Sequence, residues 1–297
     1  MKNAKKRYQQ STLKKVVKFV MNVANMQMKR HKTLLDKPLL FKDPSYNKKI
    51  LLFDIETAPN LGTYFELWKE GNILWTFQHW YILCFAWKWL GEKETHVVAL
   101  PDFKTWKKDK TNDEELVKVL WNLFDETEII IAQNGDRFDI KKSNARFLKY
   151  GLEPPSPYKT IDTLKMARKY FKLDSNKLDD LGDYLNIGRK IRTEKGLWKD
   201  CMDGDKKAWR YMKEYNKRDV ILLEKVYYKL RGWATNSPNM NLLLGSIHNC
   251  AVCGSEHTIK KGFNKTRVAI YQAYKCLNCG AWTQGENIKS KKDTILR

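Results

Sequence analysis

Apolar and polar positions along the chain change period several times, and each change marks an element. Residues 50–56, ILLFDIE, form an apolar run that passes into alternation. That pattern predicts a strand with Phe53 and Ile55 on one face and Asp54 and Glu56 on the other. The aromatic-rich window WTFQHWYILCFAWKWLG (75–91) predicts buried strands, with β-rich segments at 80–90 and 95–100. DEELVKVLWNLFDE (113–126) has the spacing of an amphipathic helix, and EIIIAQNG (128–135) reads as a buried strand closed by an Asn-Gly turn. Helical patterns follow over 139–150, 163–171, 177–185 and 205–230. Strands first, then strands alternating with helices, predict an α/β protein with a mixed sheet. Ahead of all this, Leu13, Val16, Val17, Val20 and Val23 form the apolar stripe of one N-terminal helix.

Charge changes this picture at the two ends. Residues 1–49 hold 14 Lys and Arg against Asp36 and Asp43, and residues 245–297 hold nine against Glu256, Glu286 and Asp293. Most of the formal net charge of +22 therefore sits in two arms around a nearly neutral middle. A polyanion is the natural partner of such arms, because each neutralised phosphate releases counterions; a solvated surface is the alternative. No uninterrupted apolar run approaches the roughly 18 residues that span a bilayer. The N-terminus lacks the apolar core and small-residue cleavage site of a secretory signal, so a cytoplasmic location and no membrane partner are expected.

Asp54 and Glu56 carry the first chemical question. Two carboxylates on one strand face repel at pH 7 unless a cation lies between them or one takes a proton. The pair asks for a metal and for further ligands. Asp139 opens a helix directly after a strand and turn, with Asn134, Gly135 and Phe138 beside it. Tyr215 and Asp219 lie four apart on one face of a helix. Singly, Asp139 also reads as an acid stabilised by a helix N-terminus, and Asp219 as a partner of a neighbouring base. Asp162 reads as a helix cap or as a residue near the site, and Phe138 as core or as a ring facing substrate. His79, His96 and His257 show no metal or nucleophile spacing.

In chain order, D-x-E on the first strand, N-G-x-x-F-D after a later strand and Y-x-x-x-D on a helix resemble the three motifs of the DEDDy exonucleases, within the ribonuclease H-like superfamily. The likeness covers residues 50–232 and includes SNKLDDLGDYLNIG (175–188). The chain as a whole is similar to phage-encoded or uncharacterised bacterial ribonuclease H-like proteins. The resemblance implies a ribonuclease H-like mixed sheet flanked by helices and 3′–5′ exonuclease activity on DNA or RNA with two Mg²⁺ or Mn²⁺ ions. It implies that Asp54, Glu56 and Asp219 hold the ion that activates water, that Asp54 bridges to a second ion, and that Asp139 reaches that ion directly or through water. Tyr215 would orient the water, since a phenol of pKa about 10 is a poor base at neutral pH. Asn134 and Phe138 would line the site for the terminal nucleotide.

Cys250, Cys253, Cys276 and Cys279 form two C-x2-C pairs separated by 22 residues, each followed directly by glycine. This spacing predicts one structural Zn²⁺, and the segment 245–297 resembles a zinc ribbon. Lys260, Lys261, Lys265 and Arg267, with Phe263, Tyr271 and Tyr274 among them, suit phosphate contact and base stacking; docking of a protein is the alternative use. Cys84 and Cys201 have no partner spacing and read as buried thiols.

The sequence thus predicts a basic arm (1–49), an exonuclease domain (50–232) and a ribbon (245–297) acting on single-stranded or 3′-ended nucleic acid. No polymerase domain is expected after residues 50–232, so a proofreading role would be expected to operate in trans. Structure-specific endonuclease activity on the same site, or an inactive binding or adaptor protein, are the alternatives.

Overall fold

The computed structural model describes residues 49–65, 73–194, 196–235, 237–244 and 249–290. All belong to one compact unit, Asn47–Arg297. The expected N-terminal helix and all of the basic arm except Lys49 lie outside the described residues.

β1 (Ile50–Thr57) is followed by a short hairpin of β2 (Leu61–Thr63) and β3 (Trp75–Gln78), then by β4 (Ile82–Trp89) and β5 (His96–Ala99). Next come α1 (Glu114–Asp125), β6 (Ile129–Ala132), α2 (Asp139–Lys149), β7 (Lys159–Asp162), α3 (Thr163–Tyr170), α4 (Leu178–Tyr184) and α5 (Leu197–Asp203). The long helix α6 (Lys206–Leu230) has no Gly or Pro in its 25 residues, which lets it run unbroken past the sheet. Asp205 caps its start, accepting from the N–H groups of Lys207 and Ala208. After a 3-10 turn, Arg231–Trp233, and α7 (Met240–Leu244), the chain ends in β8 (Thr258–Lys265), β9 (Ala269–Cys276) and β10 (Trp282–Ser290).

The main sheet has the order β5-β4-β1-β6-β7. β1 pairs antiparallel with β4 and parallel with β6, so the fold is mixed α/β with a central mixed sheet flanked by helices. Strand parity decides which layer each residue meets. Leu51, Phe53 and Ile55 enter one core with Leu116, Leu120 and Phe124 of α1 and Phe147 of α2. Phe53 and Phe124 meet edge to face, with ring centroids 5.0 Å apart. Ile50 and Leu52 enter a second core with Met166 of α3, Leu181 of α4 and Val220, Leu223 and Val226 of α6. Asp54 and Glu56 continue the parity of Ile50 and Leu52, so they face the layer that contains α6.

The helices predicted between residues 113 and 230 and the strands at β1, β4, β5 and β6 are present with ends shifted by a residue or two. Two readings need correction. The window 75–91 is not buried throughout: β4 is buried up to its half-buried last residue, Trp89, whereas Trp75 and Phe77 of β3 are 69% and 63% exposed. Residues 159–162 pair with β6 as a fifth strand before α3 begins. The four residues of β7 contain too little alternation to register, and the aromatic composition of β3 resembles that of a buried strand.

The C-terminal strands form a separate antiparallel sheet, β10-β9-β8. It is joined to the end of α6 by close backbone packing. The amide of Met240 donates to the Ala251 carbonyl at 2.7 Å, and a Cβ added at Gly232 would lie 2.1 Å from the Cys279 carbonyl oxygen. Only glycine permits that approach.

Candidate active site

Three elements bring the acids together. β1 presents Asp54 and Glu56, the start of α2 presents Asp139, and α6 presents Tyr215 and Asp219. The small Ala86 of β4 stands opposite Asp54 in the register. Carboxylate oxygens of Asp54, Glu56 and Asp219 lie within 4.8 Å of one another. Asp139 stands outside that group of three; it is 3% exposed, and its Oδ1 accepts the Ile55 N–H, from the residue between the two β1 acids, at 3.2 Å. Tyr215 is buried one helical turn before Asp219, as its spacing predicts.

The Asn-Gly turn that leads to Asp139 has a physical basis. Asn134 takes a left-handed backbone, φ 61°, which Asn tolerates better than most residues. A Cβ at Gly135 would lie 2.4 Å from that of Ala132. Oδ1 of Asp162 accepts the N–H groups of Asn134, Leu164 and Lys165, so this residue caps α3 and fastens the turn in one contact set. Asn134 is half-buried in that turn, while Phe138 is 40% exposed next to Asp139 and is therefore not core.

Three residues that the sequence patterns did not single out complete the site. Asn216 is fully buried, and its Nδ2 donates to Oδ2 of Asp54 at 2.7 Å and to the Asp54 carbonyl at 3.2 Å. Trp198 of α5 donates its indole N–H to Oε2 of Glu56 at 3.2 Å and packs its ring against Tyr215. Lys190, in the loop after α4, places Nζ 2.6 Å from Oδ2 of Asp219 and donates to the Tyr215 hydroxyl at 3.2 Å. Asp179 holds that loop by accepting the Lys190 N–H at 2.7 Å and the Arg189 guanidinium at 2.9 Å. Only Asn216 had a readable signal, its place inside the Y-x-x-x-D spacing.

Four carboxylates thus face one ammonium. Burial, then the charge of Asp219, pushes Glu56 up to about 7. Burial also pushes Asp139 up to about 7, against the opposing Ile55 N–H. Asp54 is raised well above the carboxylate range by burial and by Asp139, Glu56 and Asp219 in turn. Burial alone would lower Lys190, but Asp219 outweighs it and holds the ammonium above the ordinary lysine range. Clustered hard oxygen donors with an excess of negative charge fit divalent cations of the Mg²⁺ or Mn²⁺ type.

The cysteines form a second centre. The Sγ atoms of Cys250, Cys253, Cys276 and Cys279 also lie within 4.8 Å of one another. Cys250 and Cys279 are 3.6 Å apart, and Cys253 and Cys276 3.7 Å. Four sulfurs about 2.3 Å from a central zinc would be separated by about 3.8 Å, so the set fits a tetrahedral ion. Gly254 and Gly280 take left-handed φ values of 72° and 76°, which closes each knuckle. Burial works to raise Cys276, but the N–H groups of Cys279 and Asn278 outweigh it and bring the thiol down to about 7, whereas burial raises Cys250 and Cys279. Lys260, Lys261, Lys265, Arg267 and Phe263 are exposed on or beside β8. Cys84 and Cys201 are buried free thiols, and among the described residues no group that could hold a metal includes histidine.

A mixed sheet with acids at one end of its first strand is the framework of a nuclease-like α/β domain. A family profile agrees: it matches residues 78–231, more than half of the 297, and the chain belongs to the RNase H superfamily. The match includes Asp139, Tyr215 and Asp219 and begins after Asp54 and Glu56, which join the site through the geometry above. Comparison with curated proteins gives no match. An RNase H-like domain implies a nucleic-acid substrate, and among the described residues no helix is long and apolar enough to cross a membrane.

Proposed function

We propose that the protein is a divalent-metal-dependent 3′–5′ exonuclease of the DEDDy type. The observation that carries this reading is the convergence of Asp54, Glu56 and Asp219 within ligand distance, with Asp139 and Tyr215 beside them. Two bound Mg²⁺ or Mn²⁺ ions would neutralise the scissile phosphate and make water nucleophilic at neutral pH. Asp54, Glu56 and Asp219 would hold one ion, and Asp54 with Asp139 the other. Asn216 and Trp198 fix the rotamers of Asp54 and Glu56, the kind of outer support that keeps ligands aligned. Tyr215 orients the attacking water through its hydroxyl; burial raises its pKa further, which removes it as a base. Lys190 exchanges Asp219 for the anionic phosphate when substrate is seated.

Residues 50–232 would be the nuclease domain and 245–297 a zinc ribbon. Lys260, Lys261 and Arg267 of the ribbon, with the basic arm 1–49, would supply phosphate contacts, while Asn134 and Phe138 would border the terminal nucleotide. The reading is tested with substrates whose 3′ ends are free or blocked. An exonuclease shortens only the free end, and equal cutting of both would identify an endonuclease.

A further inference from the structure

The hairpin β2–β3 presents a concentration of exposed apolar side chains. Tyr64, Phe65, Ile73, Leu74, Trp75 and Phe77 are 55%, 87%, 67%, 48%, 69% and 63% exposed. Single exposed apolar residues are ordinary, but a contiguous set marks a surface that receives a partner. Trp75 and Phe77 alternate with the half-buried Thr76 and Gln78, so both rings stand on the same face of β3. The backbone around them is pinned. Leu74 N–H donates to the Thr63 carbonyl, and a Cβ at Gly62 would lie 2.6 Å from the Trp75 carbonyl oxygen.

Position identifies the partner. Both hairpin strands spring from the acid-bearing end of β1. Ala58 N–H donates to the Tyr81 carbonyl at 2.9 Å, and Trp80 N–H donates to Oδ1 of Asn60 at 2.8 Å, fastening the two arms at their base. From there the surface continues toward the acids. The Lys142 ammonium lies 3.6 Å from the Trp80 ring centroid and 5.7 Å from that of Phe138, whose neighbour is Asp139. Arg137 and Lys141, next to Phe138 and Lys142 in the chain, are exposed. Aromatic faces interleaved with cations and leading to clustered acids match a polyanion whose bases are free to stack. A duplex keeps its bases paired inside and offers these rings nothing along its length.

We infer that the exposed face of this hairpin, Trp75 and Phe77, is a stacking platform for single-stranded nucleic acid on its way to the acid site. The inference rests on reading that site as a phosphodiesterase centre. Loss of one stacked base weakens binding roughly 5- to 150-fold.

The test uses the full-length protein and the double variant W75A/F77A. Affinity for a fluorescein-labelled single-stranded 20-mer and for the corresponding duplex is measured in Ca²⁺ over a series of salt concentrations. Hydrolysis of thymidine 5′-monophosphate p-nitrophenyl ester in Mn²⁺, a substrate too short to reach the hairpin, reads the acid site separately. The variant is expected to bind the single strand at least tenfold more weakly, with an unchanged salt slope because no phosphate contact is lost, and with ester turnover within twofold of wild type. Trp75→Phe with Phe77→Tyr, which keeps both rings, should restore binding. An affinity loss below twofold, an equal loss for duplex, or sedimentation showing that these residues instead close a dimer would overturn the inference. Failure of the wild-type protein to hydrolyse the ester would count against the active-site reading, and the binding measurements would still decide the platform.

Discussion

The side-chain amide of Asn216 reaches from α6 to β1 and bonds both the carboxylate and the carbonyl of Asp54, at 2.7 Å and 3.2 Å. One residue thereby ties the helix that carries Asp219 to the strand that carries the shared acid. Outer supports of metal ligands are worth about 10–100-fold in affinity or activity. Asn216→Ala should lower kcat by a factor in that range and raise the Mn²⁺ concentration for half-maximal rate, leaving KM for a single-stranded substrate unchanged. Turnover within twofold of wild type at every Mn²⁺ concentration would remove the positioning role.

Lys190 compensates the acids from within. For Asp219 to bind an ion, the ammonium 2.6 Å from its Oδ2 must withdraw. Lys190→Met should therefore tighten Ca²⁺ binding in calorimetry while destabilising the metal-free protein by about 1–2 kcal/mol. That figure is below the value of about 3–5 kcal/mol for breaking a fully buried pair, because the lysine keeps partial contact with water. Weaker Ca²⁺ binding in the variant would show that Lys190 aids the ion instead of competing with it.

The acids make stability depend on pH and metal together. Glu56 and Asp139 are held near 7, by burial first, and Asp54 is raised as well. Unfolded carboxyls titrate at about 4, so between about pH 4 and 7 the folded protein binds more protons than the unfolded chain. The metal-free protein should therefore lose stability as pH rises through that window. Divalent ions relieve the repulsion of the charged forms, so Mn²⁺ should raise Tm more at pH 8 than at pH 5. An Mn²⁺ increment independent of pH would contradict the clustering.

The cysteine centre should fail in a different way. Cys276→Ser with Cys279→Ser should release zinc, detected with a chromogenic chelator, and weaken nucleic-acid binding while the main sheet and its helices still fold. Gly232→Val should also loosen the C-terminal sheet, because the added side chain meets the Cys279 carbonyl. Retained zinc and wild-type Tm in the Gly232 variant would show that the junction yields without consequence.

Much of the fold and the central acids were legible because both depend on short periods. Alternation placed Asp54 with Glu56 opposite Phe53 and Ile55, and the four-residue spacing placed Tyr215 with Asp219 on one helix face. The dual role of Asp162 was partly legible: its capping position was visible, but its bond to the Asn134 N–H requires β7 beside β6. Lys190 and Trp198 were not legible. They arrive from a loop and a seven-residue helix through tertiary packing, and no local period announces a contact with Glu56 or Asp219. The hairpin was misread for a related reason, since exposed aromatic residues have the same composition as those of a buried strand.

The most direct measurement is a time course on a 5′-labelled single-stranded oligonucleotide with Mg²⁺, Mn²⁺ or EDTA, run beside Asp54→Asn. A ladder that shortens from the 3′ end with either ion, and is absent in EDTA and in the variant, is the expected result. Cleavage that survives EDTA, or near-normal turnover by Asp54→Asn, would contradict the assignment of these acids as the metal-binding centre of an exonuclease.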